Sequence, residues 1–140
     1  MLAKVLMRAG SVMMLGFGLW HFFVPSIHNW FSYIPEAPSE LLKAIRAANF
    51  FLSLELCVFG VMGITLSLMI TTNRKAVLLY LLLMSGLWII RAFYQLVEPQ
   101  GGALALWIQV LLNGSFLLTA LLFIVPLLLL IRTPDATKAR

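Results

Sequence analysis

The hydrophobic residues of this chain occur in four long runs separated by shorter polar segments. The runs cover residues 2–24, 47–70, 76–97 and 103–131. Each run reaches or exceeds the roughly 20 residues that an α-helix needs to cross a hydrocarbon layer about 30 Å thick. The pattern predicts an all-α, polytopic membrane protein. We expect an antiparallel bundle of four transmembrane helices over residues 1–132, followed by a polar C-terminal tail at 133–140.

The three connections between the runs differ in kind. Residues 71–75 and 98–102 form short turns, which favour antiparallel neighbours. The first connection, residues 25–46, is long and aromatic, and its Trp30, Phe31 and Tyr33 are typical of the headgroup boundary. Within it, Ser39 is a favourable N-cap for the second helix. The sequence predicts an interfacial loop between helices 1 and 2, and leaves open whether it is a lid or a plain anchor.

The charged residues are few and unevenly placed. They make up 11% of the chain, against about a quarter in an average soluble domain. The basic residues near both termini and in the second connection fall on one predicted side of the membrane, and they are Lys4, Arg8, Arg74, Lys75, Arg132, Lys138 and Arg140. This positive-inside pattern predicts cytoplasmic termini in a bacterial or archaeal inner or plasma membrane. The net charge of +5 then orients the protein in the lipid bilayer, and no nucleic acid partner is expected.

Glu55 is the most unusual residue of the second run. A carboxylate in hydrocarbon costs roughly 2.5–3.5 kcal/mol on insertion scales, so a compensating group is expected nearby. By the helical rise, Glu55 lies about 12 Å and Arg91 about 9 Å below the outer end of their helices. The planar guanidinium binds a carboxylate in a bidentate manner. The sequence therefore predicts a Glu55–Arg91 ion pair.

Further polar residues fall in the same outer half of the predicted bundle. They are His21, Asn49, Trp88, Tyr94, Gln109 and Asn113. Hydrocarbon offers these side chains no hydrogen-bond partner, so they should turn toward one another and toward the ion pair. Two interpretations stay open: a structural clip that holds the bundle together, or a pocket that binds a ligand. Aromatic residues at this depth suit either a quinone pocket or ordinary packing.

No motif in the chain identifies a catalytic residue. His21 and His28 flank one helix end without a third ligand, whereas zinc sites usually need at least three protein ligands. The single cysteine, Cys57, lies within a run and reads as a packing residue. We expect no metal site and no enzymatic activity of the chain on its own, and we leave open a role as a subunit of an oxidoreductase complex.

Short motifs in the first half resemble DoxX-like membrane proteins. They are GLWHFFVP at residues 18–25, YIPEAP at 33–38, LEL at 54–56 ahead of Gly60, and TNRKA at 72–76. The resemblance covers about residues 16–80, and His21 and Glu55 are the positions that it carries over. The family often has an asparagine in helix 3, where this chain has Arg91. The resemblance implies a four-helix bundle and association with membrane redox complexes, including thiosulfate:quinone oxidoreduction in some members, or assistance in assembly and trafficking in others.

These observations predict an integral membrane accessory protein. It would bind a hydrophobic small molecule, a quinone or a lipid, in an outer-half polar pocket beside a membrane redox complex, with quinone as the candidate cofactor. One alternative is an assembly or stabilising factor for another membrane protein. The other is a small proton-coupled transporter or channel, which would act as an oligomer. The expected partners are the bilayer and either a second membrane protein or further copies of the chain.

Overall fold

The computed structural model describes residues 1–98 and 106–133, and these ranges contain helices and no strand. The elements are α1 (Leu2–His21), α2 (Val24–Ile27), a 3₁₀-helical turn (Trp30–Tyr33), α3 (Ser39–Leu68), α4 (Arg74–Val97) and α5 (Leu106–Arg132). Four of these helices, α1, α3, α4 and α5, are long and apolar enough to cross a membrane. The predicted all-α class is confirmed, and so is the prediction of four helices that are long and apolar enough to span a membrane. The predicted turn beyond Glu98 and the tail beyond Thr133 lie outside the described residues.

Two helix boundaries differ from the hydrophobic runs. The first run continues to residue 24, but α1 ends at His21 and Pro25 lies in the first turn of the separate helix α2. Proline cannot donate a backbone hydrogen bond to the carbonyl oxygen four residues earlier, here that of His21, but it fits the first turn of a new helix.

Helix α3 starts well before the second hydrophobic run. It begins at Ser39 and is 30 residues long, which corresponds to about 45 Å of rise. A span of the hydrocarbon layer needs only about 20 residues. The additional polar turns at the start of α3 include Lys43, whose ammonium lies 2.9 Å from a carboxylate oxygen of Glu40.

The chain forms two compact units. The first consists of Met1–Gly10 and Gly63–Arg140, and the second is Ser11–Met62. Helices α1 and α3 therefore contribute residues to both units, whereas α4 and α5 belong to the first.

In the first unit, α4 and α5 pack against each other along their length. The rings of Tyr80 and Phe123 lie 6.0 Å apart, and so do the rings of Trp88 and Phe116. The earlier residue of α4 meets the later residue of α5, so these two helices run in opposite directions. The antiparallel order of the complete bundle stays a prediction.

Two of the basic residues that the sequence groups together, Arg8 and Arg74, make hydrogen bonds within the first unit. The Nε of Arg8 on α1 donates a hydrogen bond of 2.8 Å to the Oγ of Ser67 near the end of α3. The guanidinium of Arg74, at the start of α4, donates to the carbonyl oxygens of Leu130 and Thr133 at the end of α5. The predicted location of the basic residues on one cytoplasmic side stays a prediction.

In the second unit, α1 and α3 approach each other through small residues. Gly18 of α1 lies against Ser53 and Cys57 of α3, and Gly60 of α3 lies against Ser11 and the backbone of residue 15 on α1. Ser11 and Ser53 are fully buried. Small residues at a helix interface allow the backbones to come close, which is how helices associate in lipid.

The outward faces of the long helices are apolar. Large side chains that are exposed on α4 include Leu79, Leu82, Leu83, Ile90 and Leu96. A soluble protein of this size would bury most such side chains. Their exposure indicates contact with a lipid bilayer, as the sequence predicts.

Candidate functional site

The densest polar group within the first unit lies between α4 and α5. Trp88, Arg91 and Gln95 occupy positions i, i+3 and i+7 of α4 and therefore share one helical face. Trp88 is 3% and Gln95 1% exposed, and Arg91 is half-buried. These three residues, together with Phe116 and Asn113 of α5, are called the α4/α5 polar cluster below.

Arg91 is positioned by a hydrogen bond and by an aromatic ring. Its Nη1 donates to the Oε1 of Gln95 at 3.1 Å. Its guanidinium carbon lies 4.2 Å from the centroid of the Phe116 ring, on the face of the ring. A cation in this position is attracted by about 2 kcal/mol where water is excluded. The positive charge of Arg91 is therefore accommodated by α4 and α5 together, at a depth where the sequence predicts hydrocarbon.

Asn113 supplies an acceptor that no described residue satisfies. It precedes Phe116 by three residues on α5 and so lies on the same helical face, one turn toward the start of the helix. Its Oδ1 is buried without a hydrogen-bond donor among the described residues, and so is the Oγ of Ser85, one turn before Trp88 on α4. A buried polar group left in this state costs about 1–3 kcal/mol, which a suitable ligand would recover.

The other predicted site residues of this unit lie beside the α4/α5 polar cluster. Gln109 is half-buried and lies one turn before Asn113 on the same face of α5, as the i, i+4 spacing predicts. Tyr94 is 51% exposed, so it lies at the edge of the stripe that its spacing shares with Arg91.

In the second unit, Asn49 links the start of the membrane portion of α3 to the end of α1. Its Nδ2 donates to the carbonyl oxygen of His21 at 3.0 Å, and its own carbonyl oxygen accepts from the Oγ of Ser53 at 2.6 Å. The sequence places both residues in the outer half of the predicted bundle, and this hydrogen bond joins them. This contact holds the end of α1 against α3.

Glu55 lies on the opposite side of α3 from this packing. Residues advance about 100° around a helix, so Glu55 points roughly 160° away from Cys57, which packs against Gly18. Glu55 is exposed, and Phe51, Leu54 and Val58 around it are 58%, 41% and 54% exposed. Within Ser11–Met62 the salt bridge is the one between Lys43 and Glu40, and Glu55 has no partner in that unit. The predicted Glu55–Arg91 ion pair would join residues of different units and stays a prediction.

The interfacial loop is attached to the first turns of α3 by a cation–π contact. The guanidinium carbon of Arg46 lies 4.7 Å from the ring centroid of Phe31, which belongs to the 3₁₀-helical turn. Nearby, the ring of Phe22 meets that of Phe50 edge to face at 5.5 Å. These contacts anchor the loop to α3, and its function as a lid stays a prediction.

The sequence did not identify Phe116 as part of the site. It follows Asn113, Gly114 and Ser115 and precedes Leu117, and its i+3 spacing from Asn113 is the signal that could have identified it. Gln95 lies four residues after Arg91 on α4, and the structure shows that its Oε1 accepts a hydrogen bond from Arg91. Of the predicted site residues, the first unit contains Trp88, Arg91, Tyr94, Gln109 and Asn113, and the second contains His21, Asn49 and Glu55.

Among residues 1–98 and 106–133, no three His, Cys, Asp or Glu side chains are grouped in a way that would hold a metal ion. No protein-family model, curated protein or solved structure matches the chain. The resemblance to DoxX-like proteins therefore stays a prediction that rests on the short motifs alone.

Proposed function

We propose that this protein is an integral membrane accessory protein that binds a quinone or a lipid at the α4/α5 polar cluster, beside a membrane redox partner. The observation that carries the proposal is the buried Oδ1 of Asn113, which has no donor among the described residues. It lies on the same face of α5 as Phe116, over which the guanidinium of Arg91 is placed. A ligand with a polar head and an apolar body would satisfy this group without bringing water into the membrane.

The hydrogen-bond donors and acceptors of the α4/α5 polar cluster match the polar head of such a ligand. The guanidinium of Arg91 donates only, and it suits the carbonyl oxygen of a quinone or the ester or phosphate oxygen of a lipid. The Oδ1 of Asn113 accepts, and it suits the hydroxyl of a quinol or of a lipid. The rings of Trp88 and Phe116 add apolar surface around the head group. The association with a redox complex is supported by the resemblance to DoxX-like proteins.

Ligand binding by purified protein tests this proposal. Decylubiquinol, whose hydroxyl can donate to Oδ1 of Asn113, and dioleoylphosphatidylethanolamine, whose ammonium can, would each be titrated into delipidated protein in detergent, with calorimetry as the readout. Asn113→Ala should weaken the binding of the better ligand about tenfold, because a buried hydrogen bond is lost. Asn73→Ser, which keeps a capping oxygen at the start of α4, serves as the control and should bind as the wild type does. Binding of neither ligand, or equal binding by Asn113→Ala, would contradict the proposal.

A second candidate function is the assembly or stabilisation of another membrane protein through α3. Its support is the exposed face of α3, where Glu55 lies among apolar side chains such as Phe51 and Val58. A carboxylate on a lipid-facing surface is costly, and a partner helix that carries a lysine or arginine would compensate it. The apolar neighbours would supply the remaining packing.

Photo-crosslinking in intact membranes tests this second function. A photoreactive residue at Val58 should form a crosslink to one partner protein, and Glu55→Leu should abolish that crosslink. A photoreactive residue at Leu83, which is 57% exposed on α4, is the matched control and should crosslink lipid only. Crosslinking to a second copy of the chain would instead assign the face to self-association. Persistence of the partner crosslink in Glu55→Leu would exclude a role for the carboxylate.

A further inference from the structure

We infer that the basic end of the first unit contains a binding site for the phosphate of an anionic phospholipid. A cavity of about 410 Å³ opens there between the start of α1, the end of α3 and the end of α5. Its lining includes Lys4, Ser67, Thr71 and Thr133 as polar groups. This cavity, called the basic groove below, is separate from the α4/α5 polar cluster, and the inference does not depend on the proposed function.

One cationic side chain lines the basic groove, and two more donate hydrogen bonds to residues that line it. Lys4 lines it. Arg8 donates from its Nε to the Oγ of Ser67, a fully buried lining residue. Arg74 donates to the carbonyl oxygens of Leu130 and Thr133, which also line the groove. The hydrogen bonds of the two arginines fix the position of the charge rather than leaving it on mobile side chains.

Among the described residues of the first unit no acidic residue lies at this end, since the one carboxylate, that of Glu98, follows the opposite end of α4. Residues 1–10, 63–97 and 106–133 contain no Asp and no Glu. Like charges at one end of a molecule repel one another, and a bound anion reduces that repulsion. The arginine guanidinium and the lysine ammonium both bind phosphate oxygens well.

The remaining walls of the basic groove favour a lipid over a small soluble anion. They are formed by apolar residues, which are Leu2, Leu68, Ile70, Leu129 and Leu130. A phospholipid would place its phosphate against the cations and its glycerol and acyl chains against these walls. Basic pockets between transmembrane helices are the usual receptors for anionic head groups.

Native mass spectrometry of the delipidated protein tests this inference. The probes are dioleoylphosphatidylglycerol, dioleoylphosphatidylcholine with the same acyl chains, and inorganic phosphate as the competitor. The wild type should retain phosphatidylglycerol in preference to phosphatidylcholine. Lys4→Gln should lower that retention about fivefold, the effect expected for one surface cation, and Lys4→Arg should preserve it.

Lys75→Gln is the matched control for the loss of charge. Lys75 lies on the first turn of α4 at the same end, is exposed, and does not line the groove. It should retain phosphatidylglycerol as the wild type does. An equal loss in both variants would overturn the site, because the attraction would then belong to the general positive field.

Two other outcomes would also overturn the inference. Equal retention of the two phospholipids by the wild type would show that the phosphatidylglycerol head group is not selected. Displacement of phosphatidylglycerol by millimolar phosphate would assign the groove to soluble anions instead of lipid. Circular dichroism of each variant confirms that the helices are intact. If Lys4→Gln does not fold, the retention of phosphatidylglycerol by Lys4→Arg still tests the inference.

Discussion

Gly18 of α1 lies against the backbone of Ser53 on α3. A Cβ added to Gly18 would come within 2.8 Å of the carbonyl oxygen of Ser53 and within 2.7 Å of the Sγ of Cys57. Gly60 is placed in the same way on the other helix, where an added Cβ would come within 2.9 Å of the carbonyl oxygen of Ser11. These two glycines therefore set the distance between α1 and α3, because real Cβ atoms do not approach a backbone oxygen so closely.

We predict that Gly18→Ala and Gly60→Ala each lower the free energy of unfolding by about 1–3 kcal/mol, the usual cost of forcing an additional carbon into a packed interface. Gly16→Ala is the control, since an added Cβ at Gly16 has nothing within 4 Å. Unfolding in detergent, followed by circular dichroism, measures all three variants. Equal stability of Gly18→Ala and Gly16→Ala would show that α1 and α3 separate without cost.

The number and approximate limits of the helices follow from the sequence because hydrophobic length is a strong signal. A run of apolar residues long enough to span a bilayer has few alternatives to a helix, since its backbone groups must be satisfied internally. Hydrophobic length alone misplaces a helix boundary where local chemistry overrides it. Pro25 separates α1 from α2 within an apolar stretch, and α3 extends back to Ser39 through polar residues.

The packing faces of the helices could not be predicted with the same success. Lipid and protein core are both apolar, so Phe116 and Leu117 look alike in the sequence although one is 7% and the other 50% exposed. Small and polar residues are the ones that mark the contacts between and along the helices. Ser53 and Gly60 mark the contact with α1, and the i, i+4 spacing of Arg91 and Gln95 marks a hydrogen bond.

The sequence argument for Glu55 rests on the need of a carboxylate in hydrocarbon for a compensating group. Hydrocarbon favours turning a carboxylate toward other polar groups, and that reasoning predicts a position facing the other helices. In the structure Glu55 is exposed and lies opposite the face of α3 that packs on α1. A single sequence does not reveal whether a compensating group belongs to the same chain or to a partner.

The contact between Arg91 and Phe116 leads to a prediction about stability. Phe116→Leu should lower the free energy of unfolding by about 1–2 kcal/mol, because the guanidinium loses an aromatic face within a largely buried site. Phe93→Leu is the matched control on α4, where the ring of Phe93 is 65% exposed and should be replaced at little cost. Chemical unfolding of both variants in the same detergent measures the difference. A larger loss in Phe93→Leu than in Phe116→Leu would contradict the assigned contact.

The start of α4 provides a second prediction about stability. The Oδ1 of Asn73 accepts a hydrogen bond from the backbone N–H of Ala76 at 3.4 Å, which satisfies one of the free donors of the first turn. Asn73→Ala should cost about 1 kcal/mol, and Asn73→Ser, which offers a hydroxyl oxygen in its place, should cost only a few tenths. Thermal unfolding of the pair measures the effect. Equal melting temperatures for the two variants would show that the cap adds nothing to the stability of α4.

The position of Glu55 predicts its chemical reactivity in a bilayer. Dicyclohexylcarbodiimide partitions into hydrocarbon, so it should modify Glu55, which is exposed among apolar side chains of α3. A charged, water-soluble carbodiimide should instead modify Glu36 and Glu40, which are exposed at and before the start of α3.

Peptide mass spectrometry after each reaction assigns the modified residue, and Glu55→Gln should remove the adduct formed by the hydrophobic reagent. All three carboxylates are exposed in the folded chain. A difference between the two reagents therefore reports whether a carboxylate faces hydrocarbon or water. Modification of Glu55 by the water-soluble reagent at the rate of Glu40 would place the middle of α3 in water, and α3 would then not be a membrane span. Protection of Glu55 from both reagents in native membranes, followed by labelling after purification in detergent, is the result expected if a partner helix covers this face.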